Sequence, residues 1–158
     1  MKYRILTLIT ICLIATTNIY AQLQTGENVA VTNTDAGKVR GYINNEIFTY
    51  KGIPYAMANR FEAPQKPEPW GDAVRSSMTY GPVAPLLTPT TSVMDEGEFV
   101  FDHDWGYPNE GCMRINVWTP GINDGKKRPV MFWIHGGGFT AGSSQELPSY
   151  DGENLAKK

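Results

Sequence analysis

The 158-residue chain is mildly acidic, with 14 basic against 16 acidic residues and a formal net charge of −2. No basic stripe runs along it, which speaks against nucleic acid as a partner. The length suits one ordinary domain, but 11 prolines, 16 glycines and a long central stretch without periodicity point to a portion of a bigger protein.

Lys2 and Arg4 precede an apolar stretch from Ile5 to Ala15, and Ile19-Tyr20-Ala21 closes the segment before Gln22. A positive start, a short apolar run and a small final residue describe a secretory signal peptide over residues 1–21. The run is shorter than the ~20 residues of a membrane span. An uncleaved anchor is the competing reading, opposed by the polar run from Thr16 to Asn18. A lipoprotein needs a cysteine at the cut, and Cys12 sits inside the apolar run instead. The expectation is an exported protein, periplasmic or secreted, cleaved after Ala21 and carrying no membrane span thereafter. Loss of Lys2 and Arg4 would move the net charge from −2 to −4.

Asn28 to Thr32 alternates well enough for a strand, and Asn33-Thr34-Asp35-Ala36-Gly37 is turn chemistry. Lys38 to Tyr42 returns as a second strand, giving a hairpin. Glu46 to Ile53 alternates in part and forms a third strand. These predict a small antiparallel sheet. From Phe61 to Asn109 the pattern is irregular, and loops longer than ~12–15 residues are uncommon in a compact domain unless functional or covered. Within it, His103 stands between Asp102 and Asp104. A metal site is the sharp reading, but the only other histidine is His135, so a solvated loop is expected. Trp105 and Tyr107 are read as loop or core packing in preference to the lining of a substrate gorge. Cys112 is the one cysteine outside the signal segment. It is expected to be a free thiol, behaving as a small hydrophobe.

Met113 to Trp118 reads as a further strand, ended by Pro120, and a polar turn from Gly121 to Arg128 follows. Pro129 to Ile134 is apolar on both faces, which suits a central strand covered by helices on either side. No helices to cover it are evident, so its face and edge are expected to be exposed. Next comes His135-Gly136-Gly137-Gly138-Phe139. Glycines at the end of a strand let the backbone take φ > 0 and approach a ligand closely. The string fits the HGGG-type oxyanion-hole motif of esterases and lipases. A phosphate-binding P-loop is excluded, since no Lys follows at the required spacing. The degenerate dinucleotide pattern fits Gly136, Gly138 and Ala141, with Asp151 downstream, but Gly142-Ser143-Ser144 and Pro148 do not open a helix. On the glycines alone, a plain tight turn, an oxyanion hole and a nucleotide site all remain open.

Several segments in fixed order narrow this. They are Gly52-Ile53-Pro54-Tyr55-Ala56, Arg60-Phe61, Ala63-Pro64, Pro69-Trp70 and Gly81-Pro82. Glu110-x-Cys112-Met113-x-Ile115-Asn116-Val117-Trp118-Thr119-Pro120 follows, then the glycine string, Gly142-Ser143 and Tyr150-Asp151-Gly152. From about Val39 to Ala156 the chain resembles the N-terminal part of the type B carboxylesterase family, which includes para-nitrobenzyl esterases and cholinesterases. The resemblance implies the α/β class. Residues 22–158 would be the N-terminal portion of an α/β-hydrolase domain, a small antiparallel sheet plus the first strands of a central mixed sheet, and incomplete.

It further implies that Gly137 and Gly138 supply oxyanion-hole N–H groups, with His135 and Gly136 as structural members of the motif. A third donor would follow a serine in a downstream G-x-S-x-G elbow, with the acid and histidine later still. None of these is expected in this chain, and Ser143 and Ser144 are read as structural. Arg60 and Glu110 match a family salt bridge. The family often has Glu-Asp-Cys-Leu where Glu110-Gly111-Cys112-Met113 stands. It also often has a cysteine after Gly-Pro, where Val83-Ala84-Pro85 has none, so the first family disulfide is expected to be absent. The implied function is hydrolysis of small-molecule carboxylic esters without metal or organic cofactor. The alternatives are a non-catalytic cholinesterase-like adhesion protein and an inactive truncated product.

Overall fold

The computed structural model describes residues 23–85, 106–138 and 142–158. The expected signal peptide and His103 with its neighbours Asp102, Asp104 and Trp105 lie outside the described residues.

The first hairpin joins β1 (Val31–Thr34) to β2 (Gly37–Arg40), with Thr34 paired to Gly37. The turn is therefore only Asp35-Ala36, tighter than the five residues the composition marks out. Thr34 explains the shortening. Its Oγ1 accepts from the Ala36 N–H at 3.3 Å and donates to the Gly37 carbonyl at 2.8 Å, bridging the turn with its own side chain.

After β2 the chain turns at Gly41 into β3 (Tyr42–Asn44), which pairs antiparallel with β4 (Ile47–Pro54). Asn45 and Glu46 form the two-residue connection, both at positive φ, 48° and 68°. That is the backbone of a hairpin turn whose twist matches its strands. β6 (Arg114–Thr119) lies antiparallel on the other side of β4, with an irregularity between Tyr50 and Ile53. β5 (Val74–Ser76) pairs with β2 and runs parallel to it. The result is two three-stranded sheets, β1-β2-β5 and β3-β4-β6. The expectation of one antiparallel sheet is corrected on two counts: Gly41 breaks the second expected strand and hands it to a different sheet, and one pairing is parallel. A Cβ on Gly41 would lie 2.1 Å from the Thr49 carbonyl oxygen, so the break depends on a missing side chain.

Ala30, Val39 and Tyr50 are buried together, with Ile43, Phe48, Ile53, Trp70 and Ile122 packed around them. This small core joins the sheets, drawing on both. Trp70 is held over the first hairpin by its Nε1, which donates to the Lys38 carbonyl at 2.8 Å. Burial pushes the Tyr50 hydroxyl up to about 12. A 3₁₀ turn at Pro148–Tyr150 leads to a short helix, α1 (Glu153–Ala156). Glu153 ties it to the β3–β4 turn by accepting from Asn44 Nδ2 and Asn45 Nδ2, both at 2.5 Å.

The strand expected at Pro129–Ile134 does not form, while its apolar side chains are exposed as expected. Its residues have no strand assignment, and Val130 to Ile134 are 59–88% exposed. Among the described residues no strand pairs with the run and no helix covers it. Apolar content alone creates a reason to be buried, but a strand also needs a neighbour to take its N–H and C=O groups.

Candidate functional site

The glycine string sits at the end of this exposed run. Gly137 has φ 121° and Gly138 φ 58°, conformations that side-chain-bearing residues rarely adopt. A Cβ on Gly138 would meet nothing within 4 Å, so the demand for glycine there is one of backbone conformation. His135 Nδ1 lies 2.7 Å from the Gly136 carbonyl oxygen, a hydrogen bond in the tautomer with Nδ1 protonated.

The chain comes back against this turn at Gly142. A Cβ there would stand 2.7 Å from the Gly136 oxygen and 3.1 Å from His135 Nδ1. Ser143 is buried, its N–H donating to Glu146 Oε2 at 3.1 Å and its Oγ accepting from the Gln145 N–H at 3.4 Å. Ser144 Oγ accepts from Asn116 Nδ2 at 3.1 Å, while Asn116 Oδ1 accepts from the Gly52 N–H at 2.9 Å. The Ser143 hydroxyl thus braces the loop internally, and the Ser144 hydroxyl fastens it to β6. Asn116 ties that loop to β4 and β6 together.

Two further contacts hold the segment beyond. The rings of Trp133 and Tyr150 lie 5.6 Å apart at 48°, an edge-inclined geometry that aromatic pairs favour. Lys51 Nζ lies 3.8 Å from Asp151 Oδ2 and 4.0 Å from the centre of the Tyr80 ring. Burial lowers the Lys51 ammonium, but Tyr80 and Tyr42 outweigh it and leave the group above its ordinary value. Sequence reading singled out neither Glu146 nor Lys51. A carboxylate three residues after a serine is a weak turn signal, and nothing local pairs Lys51 with Asp151.

Arg60 and Glu110 form an ion pair between the loop after β4 and the approach to β6. Both side chains are more than half exposed, at 57% and 59%. Solvent screening makes such pairs weak. A double-mutant cycle with Arg60→Ala and Glu110→Ala is expected to give a coupling below about 1 kcal/mol in urea denaturation. A coupling several times larger would mean that other parts of the protein bury the pair. Cys112 is half-buried and carries no disulfide among the described residues. Among those residues no cluster of three or more His, Cys, Asp or Glu side chains could hold a metal ion, and no helix is long and apolar enough to cross a membrane.

The pattern shared by the Carboxylesterase family matches residues 28–158. The chain belongs to the carboxylesterase family. It is 37% identical over 130 residues to a para-nitrobenzyl esterase of Bacillus subtilis (strain 168), covering 80% of this chain and 24% of that protein. It is 34% identical over 134 residues to a phenmedipham hydrolase of Pseudarthrobacter oxydans, covering 80% and 25%. Among solved structures it superposes with a TM-score of 0.76 on a Clostridium hathewayi esterase that can hydrolyse aliphatic aromatic polyesters, at 41% identity, covering 86% of this chain and 26% of that one. A carboxylesterase of Geobacillus stearothermophilus gives 0.63 at 39% identity, covering 81% and 24%. The chain therefore spans about a quarter of the length of the carboxylesterases it matches. Its strands are the N-terminal part of an α/β-hydrolase fold of type B carboxylesterase kind.

Proposed function

We propose that this chain is the oxyanion-hole portion of an exported serine carboxylesterase acting on small-molecule carboxylic esters. The reading rests on one observation above all: two consecutive glycines at positive φ, Gly137 and Gly138, in the His-Gly-Gly-Gly string of a carboxylesterase-family chain. Their N–H groups donate to the oxygen of the tetrahedral intermediate, with a third donor from the residue after the nucleophile. Serine, histidine and acid are supplied by chain outside residues 1–158. The serine oxygen attacks the ester carbonyl carbon, its proton passes to the histidine, and the carbonyl electron pair moves onto the oxygen that the glycines hold. Collapse expels the alcohol, which takes the proton back, and water then releases the acid by the same steps. Donors set in place before reaction stabilise the developing charge without reorganising, which is why such a hole accelerates the step.

The test is hydrolysis of p-nitrophenyl acetate. The complete protein is expected to show saturable turnover, and residues 22–158 none above an inert protein control, since catalysis needs an activated nucleophile. Saturable turnover by residues 22–158 that Gly138→Val abolishes would place the nucleophile here, with Ser143 and Ser144 the first to examine. A complete protein without turnover would favour the adhesion-type reading.

Export carries its own test. N-terminal sequencing of material recovered outside the cytoplasm is expected to begin at Gln22. A mature protein beginning at Met1 would overturn both the cleavage site and the localisation.

A further inference from the structure

Gly136 and Gly137 share one peptide unit. A trans peptide is planar, so its C=O and N–H point in opposite directions. Whatever seats the Gly136 oxygen therefore aims the Gly137 N–H. The backbone of Gly142 is packed against that oxygen, so closely that a Cβ would come within 2.7 Å of it. The Gly142–Ser143 peptide is in turn held by Glu146, whose Oε2 accepts from the Ser143 N–H at 3.1 Å and would lie 3.3 Å from a Cβ on Gly142. Glu146 also faces Tyr150, whose hydroxyl is raised by burial first and by the Glu146 carboxylate second. Tyr150 packs on Trp133, the residue two before His135. One carboxylate thus bears directly on the Gly142–Ser143 peptide and, through Tyr150 and Trp133, on the segment before the glycine turn.

We propose that Glu146 is a positioning residue of the oxyanion hole, fixing Gly142 against the Gly136 carbonyl and so aiming the Gly137 N–H. The assignment rests on the oxyanion reading of Gly137 and Gly138. A buried N–H left without its acceptor would pull the loop toward another partner. Gly142 would then leave the Gly136 oxygen, and the Gly136–Gly137 peptide would lose one of the groups that seat it, with His135 Nδ1 still 2.7 Å from that oxygen.

The test measures p-nitrophenyl acetate kinetics of the complete protein carrying Glu146→Ala, Glu146→Gln or Glu146→Asp, each alone and with Gly138→Val. Glu146→Ala is expected to lower kcat about ten- to hundredfold, the scale of a misplacement of about 1 Å in a catalytic group, with KM within about twofold of wild type. Glu146→Gln keeps an acceptor oxygen of the same reach and is expected to retain wild-type kcat. Glu146→Asp draws the carboxylate back by one methylene and is expected to fall between them, which keeps the test decisive if Glu146→Ala does not fold. In the Gly138→Val background the loss from Glu146→Ala is expected to shrink, because both changes act on one hole. An unchanged kcat in Glu146→Ala, or an equal loss in Glu146→Gln, would overturn the proposal, as would a loss fully additive with Gly138→Val. Wild-type turnover in Gly138→Val alone would instead remove the oxyanion reading beneath it.

Discussion

Gly138→Val in the complete protein is expected to lower kcat for p-nitrophenyl acetate by about 10²–10³-fold, the range that accompanies loss of one oxyanion donor, ~2.7–4 kcal/mol. Gly138 sits at φ 58°. For a β-branched residue that conformation is an outlier, and left-handed backbone costs an L-residue roughly 1–2 kcal/mol. The strain is relieved by rotating the peptides on either side, and the Gly137–Gly138 peptide carries the N–H proposed as the Gly138 donor. The valine side chain would also crowd the acyl carbonyl. Stability is expected to suffer far less, because a Cβ at this position meets nothing within 4 Å. The measurement is therefore paired, kcat beside the urea midpoint. Unchanged turnover in a folded variant would remove Gly138 from the hole.

Gly41→Ala is expected to give the largest loss of stability among single substitutions in the N-terminal sheets. A Cβ there would lie 2.1 Å from the Thr49 oxygen, 2.8 Å from Tyr50 Cδ1 and 3.0 Å from the Thr49 carbonyl carbon. Two of these three atoms are backbone of β4, in a stretch where Thr49 and Tyr50 are 1% and 2% exposed. Nothing flexible is available to yield. The methyl group must push β3 away from β4 or open the packing around Val39 and Tyr50. A loss above about 4 kcal/mol is expected, a size reserved for changes that break a core or a buried backbone contact. Urea denaturation reads it, with loss of soluble protein as the extreme. Gly111→Ala is the control. Its Cβ would come no nearer than 3.4 Å, to Asn109 Oδ1, and the change is expected to stay within about 0.5 kcal/mol. Equal effects from the two substitutions would mean that the sheets do not depend on close approach at Gly41.

Much of the strand pattern was legible from residues alone. Turn chemistry between Asn33 and Gly37 located the β1–β2 hairpin, and partial alternation from Glu46 located β4 to within a residue at each end. The run from Met113 to Trp118, ended by Pro120, located β6 to within a residue at each end. These signals are local: a strand shows which residues face inward through its own period of two. Family membership was legible for a different reason, since many short motifs in fixed order are specific where each alone is not.

What the sequence by itself determined is thus the first hairpin and the position of β2, β4 and β6, the glycine string that can adopt positive φ, and the family; β1 lies at Val31–Thr34, displaced toward the turn from the expected Asn28–Thr32. Tertiary structure alone decided that Gly41 divides the strands between two sheets, and that Val74–Ser76 joins β2 in parallel. It also decided that Glu146, Asn116 and Lys51 brace the segment after the glycines. The reason is that pairing is non-local. Val74, Arg75 and Ser76 are all exposed and show no alternation, so nothing in them names a neighbour. The run from Val130 to Ile134 is the converse case. Its composition specifies burial, yet composition cannot supply the strand beside it or the helix above it, and without them the described backbone leaves it open to solvent.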